Sequence, residues 1–392
     1  MFTDDAEKES MTLGSTTTKN LDLKASLEVN TSVEDNSVLK ISSTRIYFID
    51  NLKILLAVLV VLHHAAQPYG PGGGWWIPST NVSVIDYVVL GIFMAFNASF
   101  FMGLFFMLSA YFVPSSINRK GANRFLKERL VKLGVPILIF MFVVFPVMDY
   151  LLNYQTILLG HLWFLAMLLI FSTVYLAYWL VKRPSSRPNR PFPNNKIILT
   201  FILVMALISF VVRIWWPENQ WALFGLFEPF HITQYVLLFI AGIIAYREGW
   251  FEALPRSTGK LWSRVAVLTL ISLLFVGAVT NSMEFSGGLT LASLLGSLWE
   301  SFMCVSVCIA LISLFKNRFN SQGPITKAFA DDTFTVYLIQ LPIVVLLQYM
   351  IVGLQVDPLI KFAIVGALGV PLCFGLSHYV IRRLPYARYI LG

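Results

Sequence analysis

About ten runs of apolar residues, most of them near twenty residues long, divide this chain at short polar intervals and leave few folds open to it. A helix rises about 1.5 Å per residue, so roughly 20 apolar residues cross the ~30 Å hydrocarbon core of a bilayer. Inside lipid every backbone N–H and C=O needs an internal partner, which restricts spanning segments to helices and closed barrels. Barrel strands alternate apolar and polar residues, whereas these runs are continuous. The sequence therefore predicts an all-α, polytopic membrane helical bundle of about ten transmembrane helices. The expected spans are roughly 46–68, 82–112, 134–153, 161–182, 196–215, 231–247, 262–281, 288–315, 333–353 and 358–382. Charged residues make up 13% of the chain, against about 25% in soluble domains, so a soluble globular protein is excluded. The second and eighth spans are long enough to tilt or break.

Residues 1–43 differ from the rest. They are rich in Ser, Thr, Asp and Glu, hold no apolar run, and read as a disordered cytoplasmic tail ahead of a membrane domain at 44–392. The tail carries eight acidic and four basic residues, so the net charge of +8 arises wholly from the membrane part. There the basic residues collect in alternate loops: Arg119 to Lys132, Lys182 to Lys196, Arg247 to Arg264, Lys316 to Lys327, and Arg382 to Arg388. Positively charged loops stay on the cytoplasmic side, which predicts both termini in the cytoplasm. Three cysteines, Cys304, Cys308 and Cys373, lie in apolar runs without nearby histidine and read as packed thiols rather than a disulfide framework or a metal site.

Ionisable residues within spans cost roughly 2.5–3.5 kcal/mol each on insertion scales and usually mark function. The first span, RIYFIDNLKILLAVLVVLHHAAQPY, carries Asp50 and Lys53 at its start and His63 and His64 near its end. At about 100° per residue, Lys53 and His64 return to within about 20° of one face, about 16 Å apart along the axis. On the predicted orientation the histidines His63, His64, His161 and His231 lie towards the outer half, and His378 towards the cytoplasm. His231 and His378 read most simply as anchors at helix ends. Glu300 is deeper, and should face the bundle interior with a partner drawn from Lys53, Arg213 and the histidines. Asp86, Asp149, Arg213 and Glu228 fall near outer span ends and are expected to be solvated. Arg124, Lys127, Arg129 and Lys132, beside Phe125, suit either phosphate groups or the ordinary anchoring of a cytoplasmic loop.

Four blocks stand in order along the chain. They are Lys53 and His64 with ten residues between; FFMGLFFMLSAYFVPSS (101–116) leading to Arg129-x-x-Lys132 and Pro136; GHLWFL (160–165); and WESFMCV around Glu300. In this pattern the chain resembles the bacterial membrane acyltransferase family three, in its branch of periplasmic glucan-modifying proteins, from about Arg45 to Arg383. It departs from that pattern at Ser109-Ala110, where Ser-Gly is common, and at Lys132, where Arg is common. It departs again at Gln340, where some members carry a histidine that can act as acid or base.

The resemblance implies a multi-pass protein of the bacterial cytoplasmic membrane. Such a protein moves an acyl group, usually acetyl and in some cases succinyl, from cytoplasmic acyl-CoA to a hydroxyl of an extracytoplasmic carbohydrate. Arg129 and Lys132, with Lys53 and Arg124, would hold the phosphates of the donor. His64, with His63 as its competitor, would deprotonate the acceptor hydroxyl or carry the acyl group itself. His161 would orient the acceptor or stabilise the oxyanion. Glu300 would pair with a cation or hold an imidazole. Neither metal nor nucleic acid enters this reading. The competing expectation is a transporter or flippase of an acylated or sugar-containing substrate, with the histidines and Glu300 as a proton relay.

Overall fold

The continuous apolar runs fold as helices because only the helix satisfies its own backbone within one segment. The structure, a computed structural model, describes residues 45–71, 75–79, 81–154, 159–184, 190–223, 225–280, 287–385 and 387. The tail at 1–43 lies outside the described residues. Ten helices are long and apolar enough to cross a membrane: α1 Tyr47–Ala66, α2 Val84–Lys120, α3 Ala122–Leu152, α4 Gly160–Lys182, α5 Asn195–Trp215, α6 Pro229–Glu248, α7 Arg256–Thr280, α8 Leu291–Arg318, α9 Pro324–Met350 and α10 Pro358–Arg383. They match the ten expected runs, and no β-strand occurs among the described residues. α8 is the most enclosed helix, while α3 and α7 present most of their length outward. α1 packs against α9, α10 and α8, and α2 packs most extensively against α6.

One expectation about the spans needs correction. The basic stretch Arg124–Lys132 is no loop: α2 runs on to Lys120, a single Gly121 at φ 76° turns the chain, and α3 begins at Ala122. Positive φ is where glycine replaces any other residue at no steric cost. Of the two long spans, α2 is interrupted at Ser99–Phe100 and again at Phe112, whereas α8 is unbroken. α3 also widens into π-helical turns at Leu130–Gly134 and Phe140–Val144, just ahead of Pro136 and Pro146. A proline inside a helix lacks the N–H for the carbonyl four residues back and clashes with it. Opening the turn relieves that clash.

The α2–α6 contact is close enough to be selective. A Cβ on Gly242 would lie 2.2 Å from the Met107 carbonyl oxygen, so the two backbones approach as only a missing side chain allows. This contact fixes the wall that carries the site.

Candidate functional site

A cavity of about 740 Å³ opens at one end of the bundle, where α1 ends and α4 and α6 begin. It gathers His63 and His64 from α1, His161 from α4, His231 from α6 and Glu300 from the first third of α8. The four residues expected to do chemistry, His64, His63, His161 and Glu300, therefore share one chamber, and His231 joins them.

His64 is the most firmly oriented of the α1 pair. Its Nδ1 lies 2.8 Å from Oε1 of Gln340 on α9, a side chain with no solvent exposure. An amide oxygen only accepts, so Nδ1 carries the hydrogen and Nε2 the lone pair. The ring stacks on Trp75 (centroids 5.7 Å apart, planes at 21°). Trp75 is itself held, its Nε1 donating to Gln348 Oε1 at 2.7 Å, while Gln348 Nε2 donates to the His64 carbonyl at 3.0 Å. His63 rests on Phe101, ring centroids 5.1 Å apart, and its Nδ1 has no hydrogen-bond partner among the described residues. Two glutamines on α9 thus distinguish neighbouring histidines that composition cannot separate.

His161 owes its orientation to a proline. Pro342 lies inside α9 and cannot donate to the carbonyl of Leu338, four residues earlier. That carbonyl instead accepts from His161 Nε2 at 3.0 Å. The Tyr337 hydroxyl donates to the His161 carbonyl. Gly160 precedes it at φ 47°, where a Cβ would meet the Phe145 ring at 2.7 Å. With Nε2–H committed to Leu338, Nδ1 is left with a lone pair and no partner among the described residues. Such an imidazole accepts a hydrogen bond from a hydroxyl; in its neutral form it offers nothing to an oxyanion.

Across the cavity stands a buried charge network. Arg213 is fully buried and lies over the Phe230 ring, 3.6 Å from its centroid. It pairs with Glu300 Oε2 through Nη2, and its Nη1 donates to Ser297 Oγ at 3.3 Å. The other carboxylate oxygen, Oε1, accepts from His231 Nδ1 at 2.9 Å and from Gln234 Nε2 at 3.0 Å. Arg213 was expected to be solvated, as was Asp86, which is 1% exposed and caps α2 through Ser83. Both are buried because the cavity-side ends of α5 and α2 are covered by neighbouring residues. His231 is a cavity residue rather than an interfacial anchor. His378 lies at the opposite end, its Nδ1 donating to the buried Asp332 at 3.0 Å.

The mouth is aromatic. Trp75 meets Trp76 edge to face at 4.9 Å, Trp76 meets Tyr154 at 5.3 Å, and Trp163 meets Trp221 at 6.3 Å. Burial pushes the Tyr154 phenol above its ordinary range, so it remains a neutral hydroxyl. Glu218, Asn219 and Glu228 add polar groups on the same rim.

The expected donor-binding cations sit at the other end. Lys53 pairs with Asp50 at 3.4 Å and lies over the Phe112 ring at 4.7 Å. On α3, Arg129 covers the Phe125 ring at 5.2 Å, and Arg124 bonds Glu128 at 3.1 Å. Glu128 also pairs with Lys120, which leaves Lys127, Arg129 and Lys132 in excess over carboxylates in this stretch. Trp179 at the end of α4 donates to Asn118, tying this surface to α2 at the same end as Phe112. The cavity does not reach it: among the described lining residues α1 contributes only Val60, His63 and His64. On α1 the cavity lining stops at Val60, seven residues short of Lys53.

Sequence reasoning passed over Gln348 and Pro342, read His231 as an anchor, and expected Arg213 to be solvated although it stood among the partners offered for Glu300. A signal existed for Arg213, a cation beyond the first turn of the most hydropathic of the ten helices, because such residues face the interior with a partner. None existed for the glutamines, whose value lies in what they meet.

The sequence profile of the family described as "Acyltransferase domain" matches residues 46–378. Among curated proteins the chain is similar to "Glucans biosynthesis protein C" of Salmonella paratyphi B, 23% identical over 395 residues that cover 90% of this chain and 96% of that protein. The protein of the same name from Salmonella heidelberg is 23% identical over 392 residues. That from Shigella dysenteriae serotype 1 is 24% identical over 341 residues, covering 77% of this chain and 83% of the relative.

Proposed function

The chain belongs to the acyltransferase-domain family, and from that premise we propose that it moves an acyl group, acetyl in the first instance, from cytoplasmic acyl-CoA to a hydroxyl of an extracytoplasmic glycan. The observation that carries the reading is the His64–Gln340 hydrogen bond, which leaves Nε2 as the unbound nitrogen of a residue lining the cavity. Nε2 attacks the thioester carbonyl carbon, the C–S bond breaks, and coenzyme A leaves as the thiolate. The acyl group is then on Nε2, with Nδ1–H still donated to Gln340. The acceptor hydroxyl attacks the same carbon as its proton passes to a base lining the cavity, an ester forms, and neutral imidazole departs. His63, next to it, has no comparable partner and serves as wall; His161, pinned by the Leu338 carbonyl with its Nδ1 buried, orients the acceptor through the wall it forms.

Several features support the substrate classes. The name of the relatives points to glucans, and the indole faces of the mouth suit the apolar faces of sugar rings. Arg129, Lys132 and Lys53, with Arg124, supply cations for the donor's phosphates. Their end of the bundle is the cytoplasmic one by the distribution of Lys and Arg, which sets the cavity outside in a bacterial cytoplasmic membrane. Because the cavity lining on α1 stops at Val60, the donor's thioester arm has to pass along α1 between Lys53 and Val60 to reach His64.

The test is donor turnover by the purified chain in lipid, read as coenzyme A released from acetyl-CoA in the presence of a water-soluble glucan oligosaccharide. His64→Ala is expected to reduce release by at least a hundredfold and His63→Ala by less than tenfold, since base or nucleophile removal costs roughly 10²–10⁴. Equal loss in both, or none in His64→Ala, overturns the assignment. Movement of oligosaccharide across the bilayer without donor consumption overturns the enzyme reading in favour of transport.

A further inference from the structure

Acyl transfer to a hydroxyl needs a destination for the hydroxyl proton, and His64 cannot provide one while its Nε2 carries the acyl group. We infer that His231, held by Glu300, is the general base that takes this proton. The inference rests on the acyl-transfer reading and adds a second catalytic imidazole to it.

Three features of the cavity support the assignment. First, the His231 ring is fixed in one sense. Nδ1 donates to Glu300 Oε1 at 2.9 Å, and that oxygen also accepts from Gln234 at 3.0 Å. The opposite nitrogen, Nε2, stands 4.0 Å from Glu228, beyond hydrogen-bond reach, and makes no hydrogen bond among the described residues. It is therefore the basic nitrogen, on a side chain that lines the chamber.

Second, the partner behind the ring is a carboxylate. A carboxylate compensates the full positive charge of an imidazolium, as in hydrolase triads, where the carboxylate fixes the tautomer and stabilises the protonated ring. The amide oxygen behind His64 offers only a partial charge. The two imidazoles are thus equipped for different halves of the reaction: His64 to carry acyl, His231 to hold a proton.

Third, Glu300 is itself held in place and charge-compensated. The fully buried Arg213 binds its Oε2, is anchored on Ser297 and lies on the Phe230 ring, so the carboxylate cannot swing away from His231. Glu228 faces the ring from the outer loop and adds negative charge on the Nε2 side. The charged and titratable groups facing His231 are these two carboxylates, Glu218 of the same loop, His63 of α1 and Tyr235 of α6, with Arg213 behind Glu300.

The step balances. The hydroxyl oxygen forms its bond to the acyl carbon as the O–H bond breaks, with the proton passing to His231 Nε2. The C–N bond to His64 then breaks and returns its electron pair to Nε2. The products are the ester, neutral His64 and a His231 imidazolium, which gives its proton to water at the mouth beside Glu228. Glu300 touches no reacting atom and is a positioning residue.

The experiment compares two acceptors on the full-length protein in lipid vesicles with radiolabelled acetyl-CoA. A water-soluble glucan oligosaccharide needs its hydroxyl deprotonated; hydroxylamine, a stronger nucleophile with a free lone pair at neutral pH, does not. The variant is His231→Asn, whose amide nitrogen keeps a donor near the Nδ1 position for Glu300. Transfer to the oligosaccharide is expected to fall a hundredfold or more, while transfer to hydroxylamine stays within about threefold of wild type. Glu300→Gln is expected to lower oligosaccharide transfer and to flatten its rise with pH, again sparing hydroxylamine. Near-wild-type transfer to oligosaccharide in His231→Asn overturns the assignment. An equal fall with both acceptors overturns it too, because it marks a structural role. A wild type that releases no coenzyme A with either acceptor overturns the acyl-transfer reading instead, and the two failures are told apart by that control.

Discussion

At the scale of single residues, neighbouring or identical side chains acquire different chemistry from what they touch. His63 and His64 are adjacent, yet only His64 has a nitrogen committed to an amide oxygen. The tautomer that results is a property of the pair His64–Gln340. Replacing Gln340 by Leu removes the acceptor and lets the ring protonate on either nitrogen. Transfer is expected to fall about twofold or more in kcat, with the KM for acyl-CoA little changed, since about half or fewer of the molecules then hold a productive ring. Steady-state kinetics on the folded variant checks this, and an unchanged kcat would deny Gln340 its part. The position was visible in the sequence as a departure from the family pattern, and its inability to act as acid or base was correctly read. Its capacity to orient a partner was not legible, because nothing along the chain links 340 to 64.

At the scale of helices, prolines and one ion pair position the site. Pro342 leaves the Leu338 carbonyl without its helical donor, and His161 fills the vacancy. Pro136 and Pro146 each follow a widened turn in α3, the helix whose Phe140 and Phe145 lie against the His161 ring. Arg213 and Glu300 tie α5 to α8 with both side chains buried. Breaking a buried pair from one side strands a charge, at about 3–5 kcal/mol, whereas removing both partners is often neutral. Glu300→Leu alone is therefore expected to lower thermal stability in detergent sharply. The double variant Arg213→Met with Glu300→Leu should recover most of it without restoring transfer to a hydroxyl acceptor. A double variant as unstable as the single would show that the pair contributes by hydrogen bonding and shape rather than by charge balance. Glu300 was expected to face inward with a partner; Arg213 and His231 were among the partners considered, and the choice between them needed the packing of α5, α6 and α8.

At the scale of the whole molecule, two polar regions lie at opposite ends of one bundle: a cavity of imidazoles and carboxylates, and a surface of Lys and Arg. If basic residues face the cytoplasm, a cysteine introduced at the exposed Gln220, on the cavity rim side, reacts with an impermeant maleimide from outside intact cells. A cysteine at the exposed Lys260 should react only after permeabilisation. The native thiols Cys304, Cys308 and Cys373 are buried and should remain silent. The reverse labelling pattern would invert the protein and set the acceptor cavity in the cytoplasm. Such an outcome would leave the chemistry of His64 intact while overturning the extracytoplasmic acceptor.

The sequence by itself determined the number and type of the spans, the end of the bundle at which cations gather, and the short set of histidines worth suspecting. It did so because bilayer thickness, backbone hydrogen bonding and the cost of charge in lipid act on local runs of residues. Only the tertiary structure decided which imidazole nitrogen is free, which carboxylate stands behind which ring, and that the cavity stops at Val60, short of Lys53. Those outcomes depend on contacts between α1 and α9, α6 and α8, and α4 and α9. Contacts between residues 69 to 276 positions apart leave no periodicity for a reader of the chain to find.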